Sequence, residues 1–279
     1  MTLGPVTPKE GRPHGRTIAS EIGLNASENV TDEDIRRQVI DLAAPALTEM
    51  VLVSFVGVAD MIMVGRLGPA AIAAVGLSNQ PIFFAQGVFQ ALNVGTTALV
   101  ARLIGAGEQG EANATAKQSL VITILLGTLV SILMYFLAPM VIDAMGAEPE
   151  VLPLGISYMR IVALGLVFNT VSMVCASALR GAGDTRMPMA VNLTSNLINV
   201  TGNYLLIYGN WGFPRLGIAG AALATTFSRF VGCSLFLAIL LSGRSVVRVS
   251  FADGYRPDGG ILRRVLNIGL PAAIEQFIL

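Results

Sequence analysis

The chain is poor in the residues from which soluble enzymes and disulfide-bonded domains build their sites. Only 13% of its 279 residues are charged, and it has two cysteines and one histidine. Cys175 and Cys233 both lie within apolar runs, where buried and inert thiols are common, so they indicate no disulfide framework. The single histidine, His14, provides no metal cluster, and the net charge of zero gives no reason to expect a nucleic-acid partner.

Apolar residues are abundant instead. They make up 53% of the chain, and the mean hydropathy of +0.68 lies outside the balance of a soluble domain. A mostly apolar run of about 20 residues is long enough to cross a bilayer as a helix. The sequence therefore predicts an all-α integral membrane protein, a polytopic helical bundle. Six spans are predicted, at about 39–67, 70–103, 116–140, 154–179, 187–208 and 216–241, and a seventh begins near Val265.

This pattern divides the chain into four regions. Residues 1–30, which are rich in Gly, Pro and mixed charge, predict a disordered cytosolic tail without the apolar core of a signal peptide. We assign residues 31–241 to a six-helix transmembrane lobe, 242–264 to a cytosolic loop and 265–279 to the start of a second lobe. Eleven Lys and Arg residues flank the spans on the side of the N-terminus and two on the other side, which predicts a cytosolic N-terminus.

The first span returns at the end of the chain. Residues 37–50 read RQVIDLAAPALTEM, and residues 263–276, 226 positions later, read RRVLNIGLPAAIEQ. Pro45 aligns with Pro271, and Glu49 aligns with Glu275, without a gap. Internal repeats of this kind are common in transporters. We therefore expect the chain to be a fragment of a protein that has about two such units.

Two acids, Glu49 and Asp60, interrupt the apolar run of the first span. An acid at membrane depth costs about 2.5–3.5 kcal/mol on insertion scales, so such groups normally face a polar interior. The two are eleven residues apart, about three helical turns, which places them on nearly the same face. Two alternatives are open for Glu49 and its repeat partner Glu275. In the first, the two acids bind cationic substrate from opposite sides of a central cavity. In the second, each acid only braces its own proline-bent helix.

Amide side chains form a stripe on the fifth span. Asn192, Asn196, Asn199 and Asn203 follow the spacing i, i+4, i+7 and i+11, which is one face of a helix. The stripe is either a packed polar seam or part of a binding site. Asn203 and Asp60 lie at similar distances from the outer ends of their spans, and carboxylate and amide oxygens together suit a proton or a small hard cation.

The second span is also unusually polar. Gln86 and Gln90 lie in the middle of its apolar run. They predict either hydrogen bonds between helices or the lining of a cavity.

Several ordered motifs resemble those of the multidrug and toxic compound extrusion (MATE) family. They are VADMIMVGRLG at 58–68, RGAGDTR at 180–186, NYLLIYG at 203–209 and GIAGAALATTFSR at 217–229. The likeness extends from about Gln38 to Leu279. It implies two six-helix lobes in the cell membrane, and export of organic cations or amphipathic drugs driven by inward movement of Na⁺ or H⁺.

The resemblance also implies roles for individual residues. Asp60 matches the acid of the family's first helix, which takes part in cation coupling. We expect no cofactor, no metal other than Na⁺ at Asp60, and a monomer when the protein is full length. The expected coupling site is Asp60, Asn199 and Asn203, and the expected substrate cavity is lined by Glu49, Glu275, Gln86, Gln90 and Asn196.

Other functional classes fit the sequence less well. A related superfamily flips lipid-linked precursors, and a basic central cavity would favour that alternative. The charges within the predicted spans are mainly acidic, however, with Arg229 the chief exception. The chain has no metal-ligand spacing and no G-x-S-x-G nucleophile motif, which argues against an enzyme. Acids inside a repeat architecture favour alternating access over a passive channel.

Overall fold

The computed structural model describes residues 32–243, 245–249 and 258–278, and side-chain surroundings for residues 47–243, 245–249, 258–272 and 274. The predicted disordered tail, residues 1–30, lies outside the described residues. No strand occurs within these described ranges, so the predicted all-α fold is confirmed. The helices are α1 (Asp32–Gly65), α2 (Pro69–Gly105), α3 (Gln109–Ala144), α4 (Leu152–Gly181), α5 (Arg186–Tyr208), α6 (Ile218–Ser242) and α7 (Gly259–Ile278).

Local chemistry determines where several helices begin and end. Gly209 and Gly243 end α5 and α6 with φ values of 75° and 68°, the left-handed conformation that glycine adopts without strain. Asp258 Oδ1 accepts hydrogen bonds from the backbone N–H groups of residues 260 and 261, at 2.7 and 3.2 Å. This cap starts α7 at Gly259, six residues before the predicted seventh span. The loop predicted at 242–264 is therefore shorter than expected.

Five of the described helices are long and apolar enough to cross a membrane: α1 from Leu47 onward, α2, α3, α4 and α6. Helix α5 has 23 residues and is about 35 Å long at 1.5 Å per residue, which is enough to reach across the hydrocarbon core. Its asparagine stripe makes it less apolar than the other five. The predicted fifth span is thus a helix of the right length with one polar face.

Helix α4 occupies the centre of the lobe. It is the most buried of the five candidate spans and packs against α2, α3 and α6, while α5 packs on α6, and α7 on α2. Two apolar clusters form the core, one toward each end of the helices. Phe89, Leu179 and Phe236 belong to the first cluster, and Ile142, Met159 and Ile207 to the second.

Helix α1 differs from the rest because few of its described apolar side chains are buried. Met50, Phe55 and Val58 are more than half exposed. A side chain added at Gly57 would meet no atom within 4 Å. Among the described residues, three hydrogen bonds and one ion pair join α1 to α4 and α5, and most of them lie at the candidate site.

Candidate functional site

A cavity of about 760 Å³ lies between α1, α2, α4, α5 and α6. Ligand pockets typically measure about 300–1,000 Å³, so this one is large enough for a drug-sized molecule. Amide and hydroxyl side chains supply most of the polar lining. The charged residues of the described wall are two acids and two bases: Glu49, Asp60, Arg180 and Arg229.

Asp60 of α1 is held by two asparagines of α5. Asn203 Nδ2 donates to Asp60 Oδ1 at 2.6 Å. The Asn199 amide satisfies its neighbours when Nδ2 faces Asp60, at 3.1 Å from each carboxylate oxygen, and Oδ1 accepts from Thr225 Oγ1 at 3.2 Å. The sequence led us to expect amide oxygens against this acid. The structure has amide nitrogens there, because an ionised carboxylate only accepts hydrogen bonds.

The oxygen of the Asn203 amide has no hydrogen-bond partner among the described residues. Asn203 is 1% exposed, and no donor among the described residues reaches its Oδ1. Buried polar atoms are nearly always hydrogen-bonded in native proteins, so such an exception calls for an explanation. A free acceptor beside a carboxylate is the chemistry that binds a cation or a protonated acid.

Helices α1 and α5 run in the same direction with a fixed register. Glu49 contacts Asn192, and Asp60 contacts Asn203, and in both pairs the partners are 143 residues apart. At the far end Tyr208 donates its hydroxyl to the Met63 carbonyl at 3.0 Å. The constant offset places Asp60 and Asn203 at the same depth, as their distances from the helix ends predict.

Glu49 lies about three turns from Asp60 and has partners on two other helices. Asn192 Nδ2 donates to Glu49 Oε1 at 2.6 Å, and Arg180 Nη2 lies 3.6 Å from the same oxygen. Arg180 is close to the end of α4, just before the loop in which Asp184 accepts a hydrogen bond from the Met187 backbone N–H at 3.0 Å. Glu49 therefore links α1 to α4 and α5.

The other predicted site residues fall in different places. Gln90, Asn196 and Asn199 line the cavity. Gln86 is half-buried and lies outside the lining. Glu275 lies within α7, and its side chain falls outside the described residues.

Four residues of the site had no assigned role before the structure. Arg229 was marked only by its charge within an apolar run and Asn192 only by its place in the asparagine stripe, whereas Arg180 and Thr225 had no local signal for a role in this cavity. Within the described ranges no group of three or more His, Cys, Asp and Glu residues could hold a metal ion.

Comparison with known proteins places this arrangement in a family. The MatE family model matches residues 45–205, more than half of the chain. A probable multidrug resistance protein NorM from Thermotoga maritima is 32% identical over 88% of this chain and 52% of its own length. An FAD transporter from Shewanella oneidensis is 30% identical over 88% of this chain and 54% of its own length.

Solved structures agree with the sequence comparison. An outward-facing multidrug resistance MATE family transporter of the MOP superfamily superimposes with a TM-score of 0.79 at 29% identity, over 86% of this chain and 52% of that one. A MATE structure in complex with MaD3S gives the same TM-score and identity. The chain spans about half the length of the curated relatives it matches. With its apolar helices and a family-model match across α1 to α5, the chain is a multi-pass membrane protein that belongs to the MatE family of transporters.

Proposed function

We propose that this chain supplies the first lobe of a secondary active antiporter. The antiporter exports organic cations or amphipathic drugs in exchange for Na⁺ or H⁺, by alternating access. One observation carries the proposal: the Asp60 carboxylate, at membrane depth, lines a drug-sized cavity and is held by amides of α5. The multidrug relatives support the substrate class.

The coupling ion binds at Asp60 in this proposal. A proton needs only the carboxylate, whereas Na⁺ prefers several oxygen ligands. Asn203 Oδ1 has no donor within the described part of the chain, and Thr225 Oγ1 lies beside Asn199. Rotation of the two amides would add their oxygens to the carboxylate. The ion gradient supplies the free energy, so the cycle requires no cofactor.

The transported molecule occupies the cavity beside Asp60. Gln90 and Asn196 offer it hydrogen bonds, and Glu49 offers a charge that it shares with Arg180. Glu275, the repeat partner of Glu49, joins the proposal as the matching acid of the second lobe. In this proposal the protein lies in the cell membrane with its N-terminus in the cytosol, an orientation that the excess of Lys and Arg on that side supports. The complete transporter acts as a monomer in this proposal.

A flippase of lipid-linked precursors is not favoured. The described cavity wall carries two acids and two arginines, so it is not the basic cavity that such a substrate would require. The named relatives are drug or FAD transporters.

The decisive experiment is Asp60→Asn in the full gene product, reconstituted in vesicles with Na⁺ and proton gradients imposed separately. Asparagine keeps the size of the side chain but removes its titratable charge. We expect gradient-driven drug transport to fall to the level of empty vesicles, with unchanged insertion and melting temperature. Asp143→Asn, at an exposed acid near the end of α3, is the matched control and should transport normally. Wild-type rates in Asp60→Asn would refute the proposal.

A further inference from the structure

Arg229 is a cation in the cavity wall that forms no ion pair with any described residue. It lies on α6, lines the cavity, and buries its Nη1 atom where no acceptor among the described residues reaches it. The other arginine of the wall, Arg180, lies 3.6 Å from Glu49. A guanidinium that is buried without an anion is unfavourable, because it has lost water and gained no partner. Such an arginine is consistent with a site at which a bound ligand supplies the negative charge.

The acid of the coupling site does not serve as that anion. Asp60 is held by Asn203 and Asn199, and within the described residues it forms no salt bridge with Arg229. The described cavity wall therefore carries one acid that is held by amides and one arginine that has no ion pair.

A neutral polar group without a partner in the described residues lies on another wall of the cavity. Asn93 of α2 is buried, lines the cavity, and has no hydrogen-bond partner for either amide atom in the described part of the chain. Thr97, one turn after Asn93, donates to the Ser177 carbonyl of α4, whereas Thr226, three residues before Arg229, donates to the Ile161 carbonyl. Asn93 and Arg229 therefore lie at different levels along α4, roughly nine residues or about 14 Å apart.

We propose that Arg229 forms a subsite for an oxyanion of the transported molecule, a carboxylate or a phosphate. The cavity would then select amphipathic molecules that bear such a group, zwitterions included, over simple organic cations. A guanidinium suits this role because its planar fork can donate two parallel hydrogen bonds to either oxyanion. The inference rests on the proposed transport function, since it assigns the substrate class of the same cavity.

Two dyes of equal shape test the subsite. One is a cationic xanthylium dye with a free carboxylate, and the other is the methyl ester of that dye. Binding of each to the purified full gene product is measured by fluorescence polarisation. We expect Arg229→Gln to raise the Kd of the carboxylate dye by at least about tenfold and to leave the ester within about twofold, because a charge-assisted hydrogen bond contributes that much. Arg229→Lys should recover part of the loss.

The matched control is Arg160→Gln. Like Arg229, Arg160 lies within an apolar helix, in this case α4. Its guanidinium lies over the Tyr135 ring, 5.4 Å from the ring centroid, and the residue does not line the cavity. This variant should bind both dyes as the wild type does. Competition by acetate and by inorganic phosphate against the carboxylate dye shows which oxyanion the subsite prefers.

Two results would overturn the subsite. In the first, Arg229→Gln weakens both dyes equally and lowers the melting temperature, as expected if Arg229 pairs with a carboxylate elsewhere in the protein. In the second, neither dye is affected. Binding does not depend on transport, so the two proposals fail separately. If Arg229→Gln weakens only the carboxylate dye but the protein shows no gradient-driven transport in vesicles, the antiporter proposal is refuted and the subsite proposal stands.

Discussion

Asn203 holds the Asp60 carboxylate with one end of its amide and leaves the other end without a donor in the described part of the chain. The same side chain can therefore stabilise the empty acid and, after rotation, offer an oxygen to an ion beside it. A packed polar seam would not need that second atom to be free. The contacts of this one residue connect the fold of α5 to the proposed coupling chemistry.

We predict that Asn203→Leu raises the half-saturating concentration of the coupling ion by about tenfold or more. Leucine supplies neither an oxygen for the ion nor the hydrogen bond that positions Asp60, and a bond to a charged group contributes about 1.5–3 kcal/mol. The measurement is drug transport in vesicles as a function of ion concentration. Thr201→Val, at an exposed residue of the same helix, is the control. An unchanged half-saturation in Asn203→Leu would leave only the packed seam.

Glu49 and Arg180 form a pair whose two halves should affect cation binding in opposite directions. We predict that Glu49→Gln weakens the binding of a cationic drug and that Arg180→Gln strengthens it, because the second change frees the acid. The side chains are 18% and 41% exposed, so each effect should be modest, about two- to fivefold in Kd. Titration of the purified protein with one labelled cation measures both. A higher Kd for the labelled cation in both variants would indicate that the pair only braces α1.

At the scale of helices, the extent of each apolar run predicts where the elements lie. The apolar runs of α5 and α6 end where Gly209 and Gly243 adopt positive φ, and these ends agree with prediction within two residues. The start of α7 was misplaced because the Asp258 cap is polar and precedes the apolar run. Side-chain partners were harder to predict. Equal depth brings Asp60 to Asn203, but nothing local to Glu49 indicates that Arg180, 131 residues later, reaches it across the bundle.

The crossing of α5 and α6 depends on a glycine. A Cβ built at Gly220 would lie 2.5 Å from the Leu206 carbonyl oxygen and 2.6 Å from its carbon. We predict that Gly220→Ala destabilises the protein by about 1–3 kcal/mol, the usual cost of inserting a methyl into a packed contact. Thermal unfolding in detergent measures the effect. Gly76→Ala is the control, because a Cβ at Gly76 meets no atom within 4 Å. Equal melting temperatures for the two variants would contradict this packing.

At the scale of the whole molecule, α1 and α7 are two copies of one sequence pattern. They lie at the two ends of the described chain, and α7 packs on α2. In an inverted or parallel repeat transporter, such copies face one cavity from two lobes. The described lobe already contains both charged sites, Asp60 and Arg229. The second lobe of such a transporter would close the cavity and alternate its access.

The orientation of this lobe in the membrane can be tested at the two ends of α3. Glu108 precedes α3 and Glu148 follows it, both are exposed, and the helix between them is 36 residues long. The excess of Lys and Arg on the side of the N-terminus predicts that Glu108 faces the cytosol and Glu148 the exterior. We expect a membrane-impermeant maleimide, added to intact cells, to label Glu148→Cys at once and Glu108→Cys only after permeabilisation. The native thiols Cys175 and Cys233 are free but buried, so the unsubstituted protein should give little background. Labelling of Glu108→Cys in intact cells, with Glu148→Cys protected, would reverse the orientation and place the N-terminus outside.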